Sequence, residues 1–197
     1  MKKPVDSAKT EKPEILGVEL AAKSKLFSIE TVKVRYSNGT ESILERIPSG
    51  RWAGAVMVVP VLPDRSVYLV REYAVGSECY ETGLPQGMRE FGESATQTAN
   101  RELKEEIGLG ARKLTLLSDL SVASSVLGFR IQIVLAEFLY GAQLTGDEPE
   151  PLQSFRRDID ALLSGSTDTQ ITEVRSLLAL YLAREHLNSR TENYAHV

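Results

Sequence analysis

The chain has 197 residues, 42% of them hydrophobic and 25% charged, which excludes wholesale disorder and suits one domain with a sizeable core plus a small appendage. A formal net charge of -4 excludes a general attraction to nucleic acid or to an anionic membrane, so an anionic substrate needs local help from a metal or from placed arginines. The single cysteine, Cys79, excludes an intramolecular disulfide, and with only His186 and His196 beside it no structural zinc site is expected.

In chain order, residues 1–13 hold four lysines and two prolines and read as a flexible tail. Lys2 and Lys3 are followed by Pro4, Asp6 and Ser7 where a signal peptide would carry an apolar run. No apolar stretch approaches membrane-spanning length, and the expected location is the cytoplasm. Val32 to Tyr36 (VKVRY) alternates, Ser37-Asn38-Gly39-Thr40 follows, and ESILERI returns. Asn-Gly between two such runs predicts a hairpin with positive φ at both turn positions. Trp52 is expected to pack. Ala55 to Leu62 (AVMVVPVL) is an apolar strand, Pro63-Asp64-Arg65 a turn, and Ser66 to Glu72 (SVYLVRE) a second strand. Cys79 is expected to be an inert packed side chain. A helix is predicted from about Ala95 to Ile107, opened by the capping box Ser94-x-x-Gln97 and stopped by Gly108. Arg130 to Tyr140 (RIQIVLAEFLY) is a long strand. A second helix over roughly Ile171 to Leu187 carries Val174, Leu177, Leu178 and Tyr181 as its apolar stripe. Strands alternating irregularly with few helices predict a mixed α/β sandwich.

The segment Gly87 to Leu109, GMREFGESATQTANRELKEEIGL, carries the chemistry. On a helix, Ala95, Ala99, Leu103 and Ile107 form an i, i+4 apolar stripe. Glu102 and Glu106 form a second i, i+4 row along its border, Glu105 sits one step around, and Arg101 lies four residues before Glu105. Carboxylates at that spacing repel, and beside a buried face they lose solvation. A hard divalent cation relieves both costs. Spacing alone leaves a solvated acidic face, with Arg101 and Lys104 as ordinary surface partners, equally open.

The whole string resembles the Nudix box, G-x5-E-x7-R-E-U-x-E-E-x-G-U with U a bulky aliphatic. Gly87, Glu93 and Arg101-Glu102-Leu103-Lys104-Glu105-Glu106-Ile107-Gly108-Leu109 meet all nine specified positions over 23 residues. The resemblance implies a Nudix fold: a mixed β-sheet sandwiched between helices, here with an N-terminal antiparallel β extension. It implies Glu102 and Glu106 as main metal ligands, Glu105 as a further ligand, Glu93 as an orienting or water-bridged group, and Arg101 as the salt-bridge partner that holds a glutamate. The metal would be Mg²⁺ or Mn²⁺, serving to neutralise a diphosphate and activate water.

Three further segments resemble the ADP-ribose pyrophosphatase branch of that family: Leu69-Val70-Arg71-Glu72-Tyr73-Ala74, Tyr80-Glu81-Thr82-Gly83-Leu84-Pro85-Gln86-Gly87, and Gly146-Asp147-Glu148-Pro149-Glu150-Pro151. The second departs from the branch's E-x-P-A-G, because Glu81 lies six positions before Gly87, two more than usual. The similarity runs from about Ile15 to Leu187. It implies hydrolysis of ADP compounds such as ADP-ribose, diadenosine polyphosphates and NADH. It adds the Gln86 backbone carbonyl as a metal ligand, and Arg71, Arg46, Phe27 and Glu81 as substrate-binding residues. Arg71 as a plain surface arginine and Phe27 as a core residue remain alternatives. With no histidine in an active-site segment, the acidic loop is expected to supply the general base, Glu148 first and Glu150 second; failing that loop, the proton passes to a metal-ligated hydroxide or to Glu105. The implied organisation is a tail at 1–13, a β extension at 14–48 that dimerises, a hydrolase domain at 49–190 and a tail at 191–197. The implied partners are a small nucleotide and a second copy of the chain. Nucleoside-triphosphate or cap hydrolysis and a non-catalytic ADP-ribose or NAD sensor are the competing functions; the sensor should have lost the glutamates that this sequence keeps.

Overall fold

In the computed structural model residues 11–49, 54–146 and 148–195 are described, the last five by backbone alone. Most of the expected tail at 1–13, together with Trp52 and Asp147, lies outside them. The chain divides into two compact units. One joins the N-terminal strands to Ala123–Phe129. Its sheet is an antiparallel meander of β1 (Glu14–Lys23), β2 (Ser28–Arg35) and β3 (Glu41–Arg46). Segment 123–129 attaches through Ile47, whose amide donates to the Val126 carbonyl at 2.8 Å and whose carbonyl accepts from Gly128 at 2.9 Å.

The hairpin between β2 and β3 forms with a different turn from the one expected. Only Gly39 has positive φ, at 82°. The Gly39 amide donates to the Tyr36 carbonyl at 2.9 Å, and Asn38 Oδ1 accepts from the Thr40 amide at 3.0 Å. That side-chain bond closes the turn while Asn38 keeps negative φ, so one glycine suffices.

The other unit holds β4 (Ala55–Pro60), β5 (Ser66–Ala74), β6 (Cys79–Gly83), β7 (Gln86–Met88), α1 (Ala95–Glu106), β8 (Leu109–Ser121), β9 (Arg130–Gly141), β10 (Gln153–Asp158), α2 (Ile159–Ser164) and α3 (Val174–Ala195). Its central sheet has the order β7-β4-β9-β8, with β4 and β9 parallel and the other pairs antiparallel. A smaller antiparallel sheet has the order β10-β5-β6. All six residues of β4 are buried, because both faces of the central sheet are covered; this is why its sequence is an apolar run without alternation. Val56, Val58, Val134 and Ala136 pack against Ala95, Ala99 and Leu103 of α1. On the opposite face Ser176 of α3 reaches Met57 Sδ at 3.8 Å. The mixed sheet is thus sandwiched between helices.

The α1 stripe and its capping box form as expected, with the Ser94 side chain accepting from the Gln97 amide and the Gln97 side chain accepting from the Ser94 amide. For α3 the buried face differs. Val174, Leu178 and Tyr181 are exposed, and Ser176, Ala179, Leu180 and Ala183 are buried. The segment is apolar nearly all round, so periodicity does not select a face; small side chains do, because they let the helix approach the sheet closely. The helix also starts three residues later than expected, where Glu173 accepts from the amides of Arg175 and Ser176, and it runs on to Ala195 through a stretch with no glycine or proline. Cys79 is exposed at the start of edge strand β6, not packed, and its thiol faces Ser77 and Glu81. Among the described residues no helix is long and apolar enough to cross a membrane.

Candidate active site

Arg101 organises the box. Its Nε donates to Glu93 Oε1 at 3.1 Å, one Nη donates to Glu105 at 2.9 Å and pairs with Glu102 Oε1 at 2.8 Å, and the other Nη donates to the Met88 carbonyl at 3.0 Å. One guanidinium therefore ties three of the glutamates to the strand that leads into the helix, a use of the planar fork that lysine would not reproduce. Glu93 also accepts from the Thr98 hydroxyl at 2.8 Å and from the Glu90 amide at 3.1 Å. Burial acts to raise its carboxyl, but Arg101, Thr98 and that amide outweigh burial and hold it below the usual range.

Glu102 and Glu106 have the opposite character. Glu102 is 6% exposed; burial, with Arg101 opposing and Glu105 adding repulsion, pushes its carboxyl up to about 7. Glu106 is pushed up to about 9, first by burial and then by the charges of Glu102, Glu148 and Glu72, against one stabilising hydrogen bond from the Gln86 amide at 3.1 Å. Its other oxygen, Oε2, is buried and accepts no hydrogen bond. Two adjoining acids are thus held where their charged forms are poorly compensated, a state typical of a functional site and costly anywhere else.

Gly87 makes this arrangement possible. A Cβ at that position would stand 1.9 Å from Glu102 Oε1 and 2.0 Å from its carboxyl carbon. We therefore expect Gly87→Ala to push Glu102 off its position and lower activity by about a hundredfold or more, with the fold retained at a cost of about 1–3 kcal/mol. Kinetics together with a denaturant titration check this; wild-type activity would mean that Glu102 has no fixed place in catalysis.

The acidic cluster extends beyond the box. Glu72 is exposed on β5, yet desolvation by its neighbours first, then the charge of Glu148, raises its carboxyl, with Arg175 opposing. Glu148 also raises Glu102 and Glu106, so all four acids share one electrostatic neighbourhood. The loop after β9 is drawn to the end of α1 by the Leu144 amide on the Lys104 carbonyl at 3.0 Å and the Ala142 amide on the Gly108 carbonyl at 3.0 Å. Glu150 turns elsewhere and accepts from the Tyr80 hydroxyl at 2.7 Å. Arg71 is exposed on β5 with its guanidinium 5.7 Å from the Tyr80 ring centre. Glu81 stands directly across from Glu72 and accepts from the Thr172 hydroxyl. Like charges directly opposed across strands are unfavourable in a plain sheet. Phe27 and Arg46 belong to the N-terminal unit, Phe27 exposed between β1 and β2 and Arg46 paired with Glu30 at 2.8 Å. Glu72 and Arg175 were not singled out from sequence. Glu72 lies within a quoted segment, but no local pattern announces that two strands and a distant helix bring these residues together.

The donor set fits a hard divalent cation. It consists of carboxylate oxygens, one of them buried without a partner, and offers neither thiolate nor imidazole. Among the described residues no three acidic side chains form a ready-made cage. A magnesium-like ion, which takes one or two carboxylates and completes its shell with water and substrate phosphate, needs none.

The family model for the NUDIX domain matches residues 51–164, and that for the NudE-type Nudix hydrolase N-terminal domain matches residues 13–46. The chain is 44% identical over 185 residues to the ADP compounds hydrolase NudE of Escherichia coli (strain K12), covering 93% of this chain and 98% of the relative. It is 30% identical over 123 residues to the ADP-ribose pyrophosphatase of Bacillus subtilis (strain 168), covering 60% and 65%. The crystal structure of an ADP compounds hydrolase resembles it with a TM-score of 0.85 at 44% identity, over 93% of this chain and 98% of that one. The chain belongs to the Nudix hydrolase family and has the Nudix fold. Hydrolases of this family use divalent metal ions.

Proposed function

We propose that this Nudix hydrolase splits the diphosphate linkage of ADP compounds, namely ADP-ribose, NADH and diadenosine polyphosphates, releasing AMP and a second phosphate product. The observation that carries the proposal is the pair of buried Glu102 and part-buried Glu106, the latter with a buried, unpartnered carboxylate oxygen beside the Gln86 amide. The likeness to relatives named for ADP compounds and ADP-ribose supports the substrate class. In this reading Glu102, Glu106, Glu105 and the Gln86 carbonyl hold Mg²⁺ or Mn²⁺, and Glu93 orients the site. The bound metal neutralises the diphosphate and lowers the pKa of water. Arg101 keeps Glu93, Glu102 and Glu105 in place. Glu148 accepts the proton of the attacking water, and its nearness to the cluster supports it over Glu150, which Tyr80 engages. Arg71 and Glu81 contact substrate from the β5–β6 hairpin, with Phe27 and Arg46 contributing from an N-terminal unit. The cytoplasm, where such nucleotides occur, is the proposed place of work.

The test is product analysis with added metal on ADP-ribose, NADH, a diadenosine polyphosphate and a nucleoside triphosphate. AMP from the first three is expected. Faster conversion of the triphosphate to monophosphate and pyrophosphate would overturn the substrate assignment.

A homodimer formed through the N-terminal sheet belongs to the same proposal. Leu20, Phe27 and Ile43 are 62%, 58% and 69% exposed, an unusual amount of large apolar surface for a three-stranded sheet to leave in water. Leu20→Asp with Ile43→Asp should shift the protein from dimer to monomer in sedimentation. A wild-type monomer at micromolar concentration would contradict the dimer.

A further inference from the structure

Resting on that reaction, we infer that Arg175 is a substrate-binding residue that donates to a phosphate oxygen of the bound diphosphate, and that Glu173 is its positioning residue. Arg175 lines a cleft with Glu72, Glu81, Gln86 and Glu173. Three of these neighbours are carboxylates, and Glu72 shares the field of Glu148 and Glu106. A dianionic diphosphate entering there meets repulsion that a bound metal would relieve only at the box. Among the described residues Arg175 is the cation lining this cleft, and it lies close enough to oppose the rise of the Glu72 carboxyl.

The guanidinium is held by one edge. Its Nε donates to Glu173 Oε1 at 2.7 Å, while its two terminal nitrogens have no hydrogen-bond partner among the described residues. Glu173 is fixed in turn. It accepts from the Arg175 amide at 3.0 Å, the Ser176 amide at 2.8 Å and the Ser176 hydroxyl at 2.9 Å. Ser176 Oγ accepts from the Leu84 amide at 3.1 Å, two residues before Gln86. A Cβ on Gly83 would stand 2.9 Å from that hydroxyl, so the bare backbone permits the approach. One connected set of bonds thus runs from the link between β6 and β7 to the guanidinium, and holding its Nε edge lowers the ordering cost of using the outer nitrogens.

Helix stability alone does not explain this residue. Arg175 sits in the first turn of α3, where the macrodipole disfavours a cation. A guanidinium with its Nε edge engaged and its outer nitrogens free suits two-point contact with phosphate oxygens.

The test is steady-state kinetics of Arg175→Ala and Arg175→Lys on ADP-ribose with Mg²⁺, with and without added guanidinium chloride at millimolar concentration. Arg175→Ala should lose about tenfold to a hundredfold in kcat/KM, the scale of a lost charged hydrogen bond. The loss should fall mainly on KM, with partial recovery by guanidinium and an unchanged melting temperature. Arg175→Lys should lie between Arg175→Ala and wild type. A kcat/KM for Arg175→Ala within about twofold of wild type overturns the inference. So does a loss in both variants that follows a lowered melting temperature and shows no recovery by guanidinium. Turnover by the wild type separates the two levels: an active wild type with an unaffected Arg175→Ala sinks only the role of Arg175, whereas a wild type inert on every ADP compound sinks the proposed reaction and this inference with it.

Discussion

Glu106→Gln should reduce turnover of an ADP compound by about a thousandfold or more while the protein stays folded, the scale on which loss of a preorganised charge-stabilising group acts. The same substitution should leave metal-free stability level or raised. The Glu106 carboxyl ionises near 9 in the fold against an ordinary 4.5, so between those values the native state binds its proton and the unfolded chain does not. Stability from this group is therefore complete below about pH 4 and is lost as pH rises toward 9, because the unfolded chain gains a solvated carboxylate charge that the native fold withholds. Glutamine removes that charge. Metal-free melting temperatures at pH 6 and pH 9 should show a decline in the wild type and a flatter profile in Glu106→Gln. Equal slopes would mean that Glu106 is not a destabilised acid, and near-normal turnover with saturating Mg²⁺ would mean that it is not a metal ligand.

Glu148→Gln should lower kcat by about a hundredfold to ten-thousandfold, the usual contribution of a general base. The rise in melting temperature on adding Mg²⁺ should change little, since the ligands proposed on α1 are untouched by the substitution. Glu150→Gln should be much milder, matching Tyr80→Phe, because the structural partner of Glu150 is the Tyr80 hydroxyl. Pre-steady-state and steady-state kinetics of the three variants distinguish these outcomes. If Glu148→Gln and Glu150→Gln both keep near-normal kcat, the loop does not supply the base. Glu105 would then be the remaining carboxylate candidate for the base.

The parts of this protein that are legible in its sequence are those whose physics is local. The capping box at Ser94, the stripe Ala95–Ala99–Leu103 and the glutamate row beside it are all set by spacing along one helix, and all appear in the fold. Strands β4, β5 and β9 are announced by apolar runs. Strands β6, β7 and β10 are only five, three and six residues long, and β8 carries a register shift between Leu116 and Ser118 that breaks its alternation. The buried face of α3 differs from the expected one because leucines surround that helix and packing selects its alanines. The Gly39 turn is settled by a hydrogen bond that the Asn38 side chain accepts from the Thr40 amide, which propensity does not encode. In the site the box glutamates were found by pattern, but Glu72, Arg175 and the Tyr80–Glu150 contact depend on residues 70 or more positions apart. Such pairings are fixed by the tertiary fold, and no sequence window contains them.

Dependence of diphosphate turnover on a divalent metal held by carboxylates of α1 is the core of the proposed function. Its most direct test is product analysis on metal-stripped wild-type protein given ADP-ribose, with Mg²⁺ or Mn²⁺ added back in steps. The account predicts no products without metal and, as metal is added, AMP and ribose 5-phosphate in equal amounts. Equal turnover in excess chelator, or no products at any metal concentration, would contradict it.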